Sequence, residues 1–341
     1  MKKIFSLLLA VCLALALTAC SGGAKETAAP DASAGTATDT PAKTYKVAMI
    51  CDSAISDGGW GAACYNGMVD AAQANGWETA YTDSIDQSAY ADSMISYCDL
   101  GYDMIFAPGN QYSDAVAQVA ADYPNVYFAV LNGSETLPTA NIASILPDAK
   151  QIGSIAGIIA GTMSKSNVIG FIGGMELDTT KAKLANFESA AKTINPSISV
   201  VSAYAGSFND TAKGMELAAS MINDGADVFF GDASAVDSGA RQAIDQKNGS
   251  GAIGIFDIGQ PADLLGQNPC VISSVVTDNA GMISLCMKAV QDGSFGNQVV
   301  YGNLENGCVY LGKFNDELVD ADTQAKINNA IKQLQEGTFG K

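Results

Sequence analysis

The chain has 341 residues with 18 basic and 36 acidic side chains, no histidine and a formal charge of −18. Such a surface repels nucleic acid and anionic headgroups, and the missing imidazole excludes Ser-His and Cys-His catalysis and removes the commonest metal ligand, so no nucleic-acid partner, enzyme, cofactor or metal is expected. The length beyond residue 44 exceeds what one core usually fills, so two lobes are expected.

The chain starts "MKKIFSLLLAVCLALALTAC", two lysines and then an apolar run too short to span a bilayer, the order of a secretory signal. Leu17-Thr18-Ala19-Cys20 resembles the bacterial lipoprotein signal, which implies cleavage after residue 19, a lipid on Cys20 and a membrane-anchored, extracytoplasmic protein. An ordinary signal with a chance cysteine stays open. Loss of Lys2 and Lys3 takes the formal charge to −20. Residues 21–44 hold no large aliphatic or aromatic side chain, so residues 20–44 read as a lipidated cysteine and a disordered tether reaching about 25–30 Å. Of the eight cysteines, Cys51, Cys64, Cys98, Cys270, Cys286 and Cys308 remain beyond it, widely spaced and without a C-x-x-C pair. They read as buried free thiols, with disulfides left open by the exported location.

Strand-like runs start at Lys46, Glu78, Met104 and Val126, and again at Val168, Ile198, Val228 and Ala252. The offsets are 32, 58 and 80 residues in the first set and 30, 60 and 84 in the second. Helix-length segments separate the runs, the alternation of parallel β/α units, and its repetition predicts a duplicated α/β lobe. "CVISSVV", "NAGMISLCMKAVQDG" and "NQVVYG" exceed what the second lobe needs, so the chain is expected to cross back. The expected division is 45–146 plus 279–300 for one lobe and 147–278 plus 301–341 for the other: two doubly wound parallel-sheet lobes joined by a hinge.

Ligands bind beyond the carboxyl ends of parallel strands, which nominates the loops Asp52 to Trp60, Pro108 to Asn110, Asn132-Gly133, Gly173 to Glu176, Gly206 to Asp210, Asp232 to Ala235 and Asp257 to Gln260. None carries a lysine or arginine, and neither G-x-x-x-x-G-K-[ST] nor G-x-G-x-x-G follows the first run, so phosphate is disfavoured. Backbone amides near Gly61 leave a weak anion or a hydroxyl open. Trp60 lies among Gly58, Gly59 and Gly61. Its ring either packs on the lobe surface or lines the cleft, and the small neighbours favour the cleft because they leave the indole face uncovered. Phe208 holds the corresponding place in the second half, so the two rings are expected to clamp a planar ligand such as a nucleobase.

"FIGGMELDTTKAKLANFESAAKTINP" and "YAGSFNDTAKGMELAASMINDGADVFF" resemble the basic membrane protein family, PnrA-like substrate-binding lipoproteins that serve ABC importers and mostly bind purine nucleosides. The resemblance spans about residues 45–312 and implies the type I periplasmic-binding-protein fold. The family's Asp-Asp-Lys-Ser-Phe-Asn loop corresponds to Ser56-Asp57-Gly58-Gly59-Trp60-Gly61, which keeps an Asp and an aromatic but not the lysine or asparagine. Phe208 matches the second aromatic. "IFDIGQ" keeps Asp257 and Gln260 of the ribose-reading segment but has Gly259 for its second Asp, and Thr277 stands where a sugar-contacting lysine is common.

The resemblance implies a lipid-anchored ABC receptor that closes on a small molecule, a purine nucleoside above all, and docks as a monomer on permease subunits. Asp57, Trp60, Asn110, Phe208, Asp257 and Gln260 are its expected ligand contacts, with helix capping as the alternative for Asp57 and Asp257. A sugar receptor of the same fold and a sensory lipoprotein remain alternatives. A nucleoside hydrolase lacks the carboxylate cluster it needs near Asp52 and Asp57.

Overall fold

The computed structural model describes residues 43–57, 60–251 and 253–341. The signal 1–19, Cys20 and the tether up to residue 42 lie outside the described residues, as do Gly58 and Gly59.

In chain order the first lobe begins with β1 (Lys46–Ile50), α1 (Trp60–Asn75), β2 (Glu78–Thr82), α2 (Tyr90–Asp99), β3 (Met104–Ala107), α3 (Ser113–Asp122), β4 (Tyr127–Leu131) and β5 (Ile142–Pro147). The second follows with α4 (Ala149–Met163), β6 (Val168–Gly173), α5 (Asp178–Ile194), β7 (Ser199–Tyr204), α6 (Thr211–Asn223), β8 (Val228–Asp232), α7 (Ala235–Asn248), β9 (Phe256–Gly259) and β10 (Val271–Thr277). The chain then crosses back for α8 (Asn279–Gln291) and β11 (Gln298–Gly302), and forward again for β12 (Val309–Leu311) and α9 (Ala321–Gln335).

The described residues form two six-stranded sheets, in the orders β11-β5-β4-β3-β1-β2 and β12-β10-β9-β8-β6-β7. Every described pairing is parallel except β10 with β12. β5 starts 15 residues after β4, and β10 starts 15 residues after β9. Parallel strands are covered on both faces, which explains their near-continuous apolar runs. In β1, Val47 and Met49 pack with Cys64 and Met68 of α1 and Ile283 and Met287 of α8, while Ala48 and Ile50 pack with Met94, Val116 and Val119. In the second sheet Phe171 and Phe230 face α4, α5 and α9, while Phe229 faces α6 and α7.

Contact between α4 and α5 is close because Gly153, Gly157 and Gly161 press on the backbone carbonyls of Lys183, Phe187 and Ala191, and a Cβ at any of the three would collide with them. The six cysteines of the folded part are all free and buried. Burial pushes the Cys98 and Cys308 thiols up to about 11, so they stay protonated and poorly nucleophilic.

Three crossings join the lobes, and two are built alike. After β5, Asp148 caps α4 by accepting from the amides of Lys150 and Gln151; after β10, Asp278 caps α8 by accepting from the amide of Gly281. The third, between β11 and β12, accepts from both: the Asp148 amide donates to the Gly302 carbonyl and the Asp278 amide to the Cys308 carbonyl, each at 2.8 Å. Since the chain leaves each lobe at the carboxyl end of β5 or β10, the crossings tie together the carboxyl edges of both sheets.

One strand differs from the sequence expectation. β9 begins at Phe256 rather than near Ala252, because Asn248 accepts from the amides of Gly254 and Ile255 and donates to the Ile255 carbonyl, holding those residues in a turn.

Candidate functional site

At the carboxyl end of β1 the chain turns through Asp52. Its amide donates to the Tyr112 hydroxyl at 2.8 Å, and its carboxylate accepts from the Tyr90 hydroxyl and the Gln111 amide, both at 3.1 Å. Tyr112 is fully buried and its ring lies 4.4 Å from that of Tyr90. Burial, and then the Asp52 charge, raises the Tyr90 phenol pKa, so it serves as a neutral donor. Trp60 opens α1 with 42% of its surface exposed, and its indole Nε1 donates to the Pro108 carbonyl at 2.6 Å. One edge of the ring is therefore pinned to the loop after β3 while much of the ring stays open. Gly61 lets α1 start here, since a Cβ would run into Ser53 Oγ and Cys51 Sγ. Asn110 is exposed in the turn after β3, and its Oδ1 accepts from Ser113 Oγ at 3.0 Å. Asp57 closes the turn Ile55–Asp57.

At the same edge of the second sheet two aromatic rings rest on glycines: Tyr204 over Gly173 and Phe208 over Gly174, where added Cβ atoms would strike ring carbons. Both rings are half-buried. Beside them Asp232 ends β8. Its Oδ1 accepts from Lys183 Nζ at 2.6 Å and Gln260 Nε2 at 3.2 Å, and its Oδ2 accepts from Thr180 Oγ1 at 2.7 Å. Gln260 also donates to the Gly231 carbonyl and accepts from Lys183 at 3.3 Å.

Gln260 and Phe208 thus stand on the second lobe's carboxyl edge, and Trp60 and Asn110 on the first lobe's. Asp257 does not join them. It lies inside β9, only 4% exposed, and its Oδ2 accepts from Arg241 Nε at 2.7 Å. The displaced start of the strand moves this residue from the expected loop position into the strand, where its carboxylate is paired with Arg241. Burial raises its pKa and Arg241 pulls it back. Asp237 is buried nearby, with Oδ2 accepting from the Ala233 amide and Oδ1 without a partner. Desolvation holds it at about 7. Thr277, at the end of β10, donates its amide to the Pro261 carbonyl at 2.8 Å.

The strand-end loops carry no cation, yet Lys183 reaches the edge from α5. Thr180, Lys183 and Phe187 recur at helical spacing, with Thr180 1% and Phe187 0% exposed, so helix periodicity is the signal that could have found Lys183.

These features define a two-lobe α/β solute-binding protein with aromatic and polar side chains on both carboxyl edges. A family model described as ABC transporter substrate-binding protein PnrA-like (Bmp) matches residues 44–338, and the chain belongs to this family. The ABC transporter nucleoside-binding protein BmpA of Lactococcus lactis subsp. cremoris is 28% identical over 93% of this chain and 94% of its own length. The transcriptional activator protein med of Bacillus subtilis is 26% identical over 85% and 88%. A solute-binding protein of an ABC transporter system from Conexibacter woesei shares the fold, with a TM-score of 0.71 and 22% identity over 86% of this chain and 97% of that one.

Proposed function

We propose that the chain is a lipid-anchored nucleoside receptor of an ABC importer, tethered outside the cytoplasm through Cys20 and working as a monomer that delivers its ligand to permease subunits. The observation that carries this reading is the Trp60 ring, pinned at one edge to Pro108 and otherwise open at the carboxyl edge of the first sheet. An exposed indole held in one orientation is suited to stack on a flat, apolar-faced ring. Phe208 is its partner wall, and Asn110, Gln260 and Asp57 read the ligand's polar edges. Closure about the three crossings is a population shift driven by contacts made only in the closed state. The L. lactis relative, named for nucleoside binding, supports the ligand class.

Isothermal titration of ligand-stripped protein against inosine, guanosine, adenosine, uridine, free purines, ribose and glucose tests this. Nucleoside binding that weakens strongly in Trp60→Ala is expected, while binding of sugars alone, or of nothing in the panel, overturns it. A second reading, a sensor that binds the same ligand but signals to another partner, is favoured by the B. subtilis relative's name. A missing uptake defect in a deletion strain would select it.

A further inference from the structure

The Lys183–Asp232 pair is more than the fold requires. Counting along the paired strands from Met104 of β3 and Val228 of β8, the first lobe has Pro108 where the second has Asp232, and Leu131 where it has Gln260. The same architecture therefore closes its strand ends without any charge at these points. Charges taken out of water cost free energy unless they are paired, and here the pairing is complete enough to hold them but leaves groups to spare. The Lys183 ammonium has three N–H donors and uses two, on Asp232 and Gln260. The Asp232 carboxylate has about four acceptor sites and three donors are on it. Both side chains remain partly open to solvent, at 16% and 18%. One donor and one acceptor, fixed side by side at a ligand-facing edge, match a hydroxyl pair: a hydroxyl can accept from the ammonium while its neighbour donates to the carboxylate. An anionic group is a poorer match, because Asp232 already neutralises the lysine.

Resting on the nucleoside-receptor reading, we propose that Lys183 and Asp232 are the specificity-determining pair of this site. They read two adjacent hydroxyls of the ligand and make the receptor select ribonucleosides over bases and hydroxyl-free analogues. Thr180 is a positioning residue that fixes the carboxylate, and Gln260, besides its own ligand contact, holds both the carboxylate and the ammonium.

The test is calorimetric titration of the ligand-stripped, detergent-solubilised chain with inosine, 2′,3′-dideoxyinosine, hypoxanthine, ribose and galactose. The proteins are the wild type, Lys183→Met, Lys183→Arg and the double variant Lys183→Met/Asp232→Asn, with thermal melts to verify folding. Lys183→Met leaves Asp232 unpaired, and the double variant removes that difficulty. The wild type should prefer inosine over its dideoxy analogue by roughly ten- to hundredfold, the double variant should lose that preference while keeping its affinity for the analogue, and Lys183→Arg should retain it. Equal wild-type affinity for inosine and dideoxyinosine, or an equal loss for both in the variants, overturns the proposal while the nucleoside reading stands. Should ribose or galactose bind and no nucleoside, the nucleoside reading fails. The pair's role then survives only if the double variant loses the sugar. Binding of none of the probes overturns both.

Discussion

The two lobes share one strand order but bury opposite chemistries at matching positions. Strand by strand, Phe128 of β4 corresponds to Asp257 of β9; the first is fully buried among Val116 and Val119, the second is ion-paired with Arg241. Likewise the helix after each lobe's first strand reaches the end of its third. In the first lobe an indole donates to the Pro108 carbonyl, and in the second an ammonium donates to the Asp232 carboxylate. The backbone frame thus sets where side chains meet but not what they are. At these matching points one lobe carries a half-open indole and the other an ion pair.

The largest effect is expected from removing the charge that the second lobe buries. Arg241→Leu leaves Asp257 as an uncompensated buried carboxylate and should cost about 3–5 kcal/mol in urea unfolding. Adding Asp257→Leu copies the first lobe's apolar solution and should restore most of that loss, because a buried ion pair replaced on both sides by apolar groups is often neutral. A double variant as unstable as the single one would mean the pair is needed for the lobe's packing itself.

Asp237 gives the second lobe a pH dependence without an equivalent at Val116 and Val119. In the folded protein its carboxyl stays protonated up to about pH 7, raised first by desolvation and then by Asp257, against the Ala233 amide and Arg241, which lower it. In the unfolded chain it ionises near 3.8, so folding takes up a proton between these values. Its contribution is greatest below about pH 4, declines as pH rises to about 7 and is flat above, with a total span of a few kcal/mol. Asp237→Asn, whose amide oxygen can still accept from Ala233, should remove that slope from a series of melts between those pH values.

Helix pairing separates the lobes more finely. Gly157 of α4 sits against the Phe187 carbonyl of α5, where a Cβ has no room, whereas a Cβ on Gly67 of α1 would meet the Asn279 side chain of α8 at 3.3 Å. Gly157→Ala should therefore destabilise by about 1–3 kcal/mol through forced separation of the two helices. Gly67→Ala should change stability little, its tight contact offset by better helix propensity.

Much of this frame could be read from the sequence, because strands covered on both faces leave apolar runs whose spacing repeats: starts expected at 46, 78, 104 and 126 fall at 46, 78, 104 and 127. The β9 start escaped because "AIGIF" is as apolar as a strand, while the Asn248 side chain, bonding to Gly254 and Ile255, holds those two residues out of it. Asp257 was misplaced for the same reason. Lys183 escaped because the strand-end rule looks at loops, and this cation comes from within a helix. The open Trp60 ring, by contrast, agrees with the small residues around it in the loop after β1, which favoured an uncovered indole.

That ring also gives the smallest and most direct comparison, since the chain has two tryptophans with opposite surroundings. Trp77 is 7% exposed with its ring stacked 4.9 Å from Tyr45, while Trp60 is 42% exposed. Trp60→Phe keeps an aromatic face but removes the donor to Pro108, so it should cost about 1 kcal/mol of stability and weaken nucleoside binding far less than Trp60→Ala. In the wild type, acrylamide should quench Trp60 emission selectively, and a stacking ligand should protect it. In Trp60→Phe the remaining emission comes from Trp77 and should ignore the ligand. Ligand-dependent emission that persists in Trp60→Phe would place the binding event near Tyr45 and Trp77, away from the carboxyl edge, and would separate the open indole from the ligand altogether.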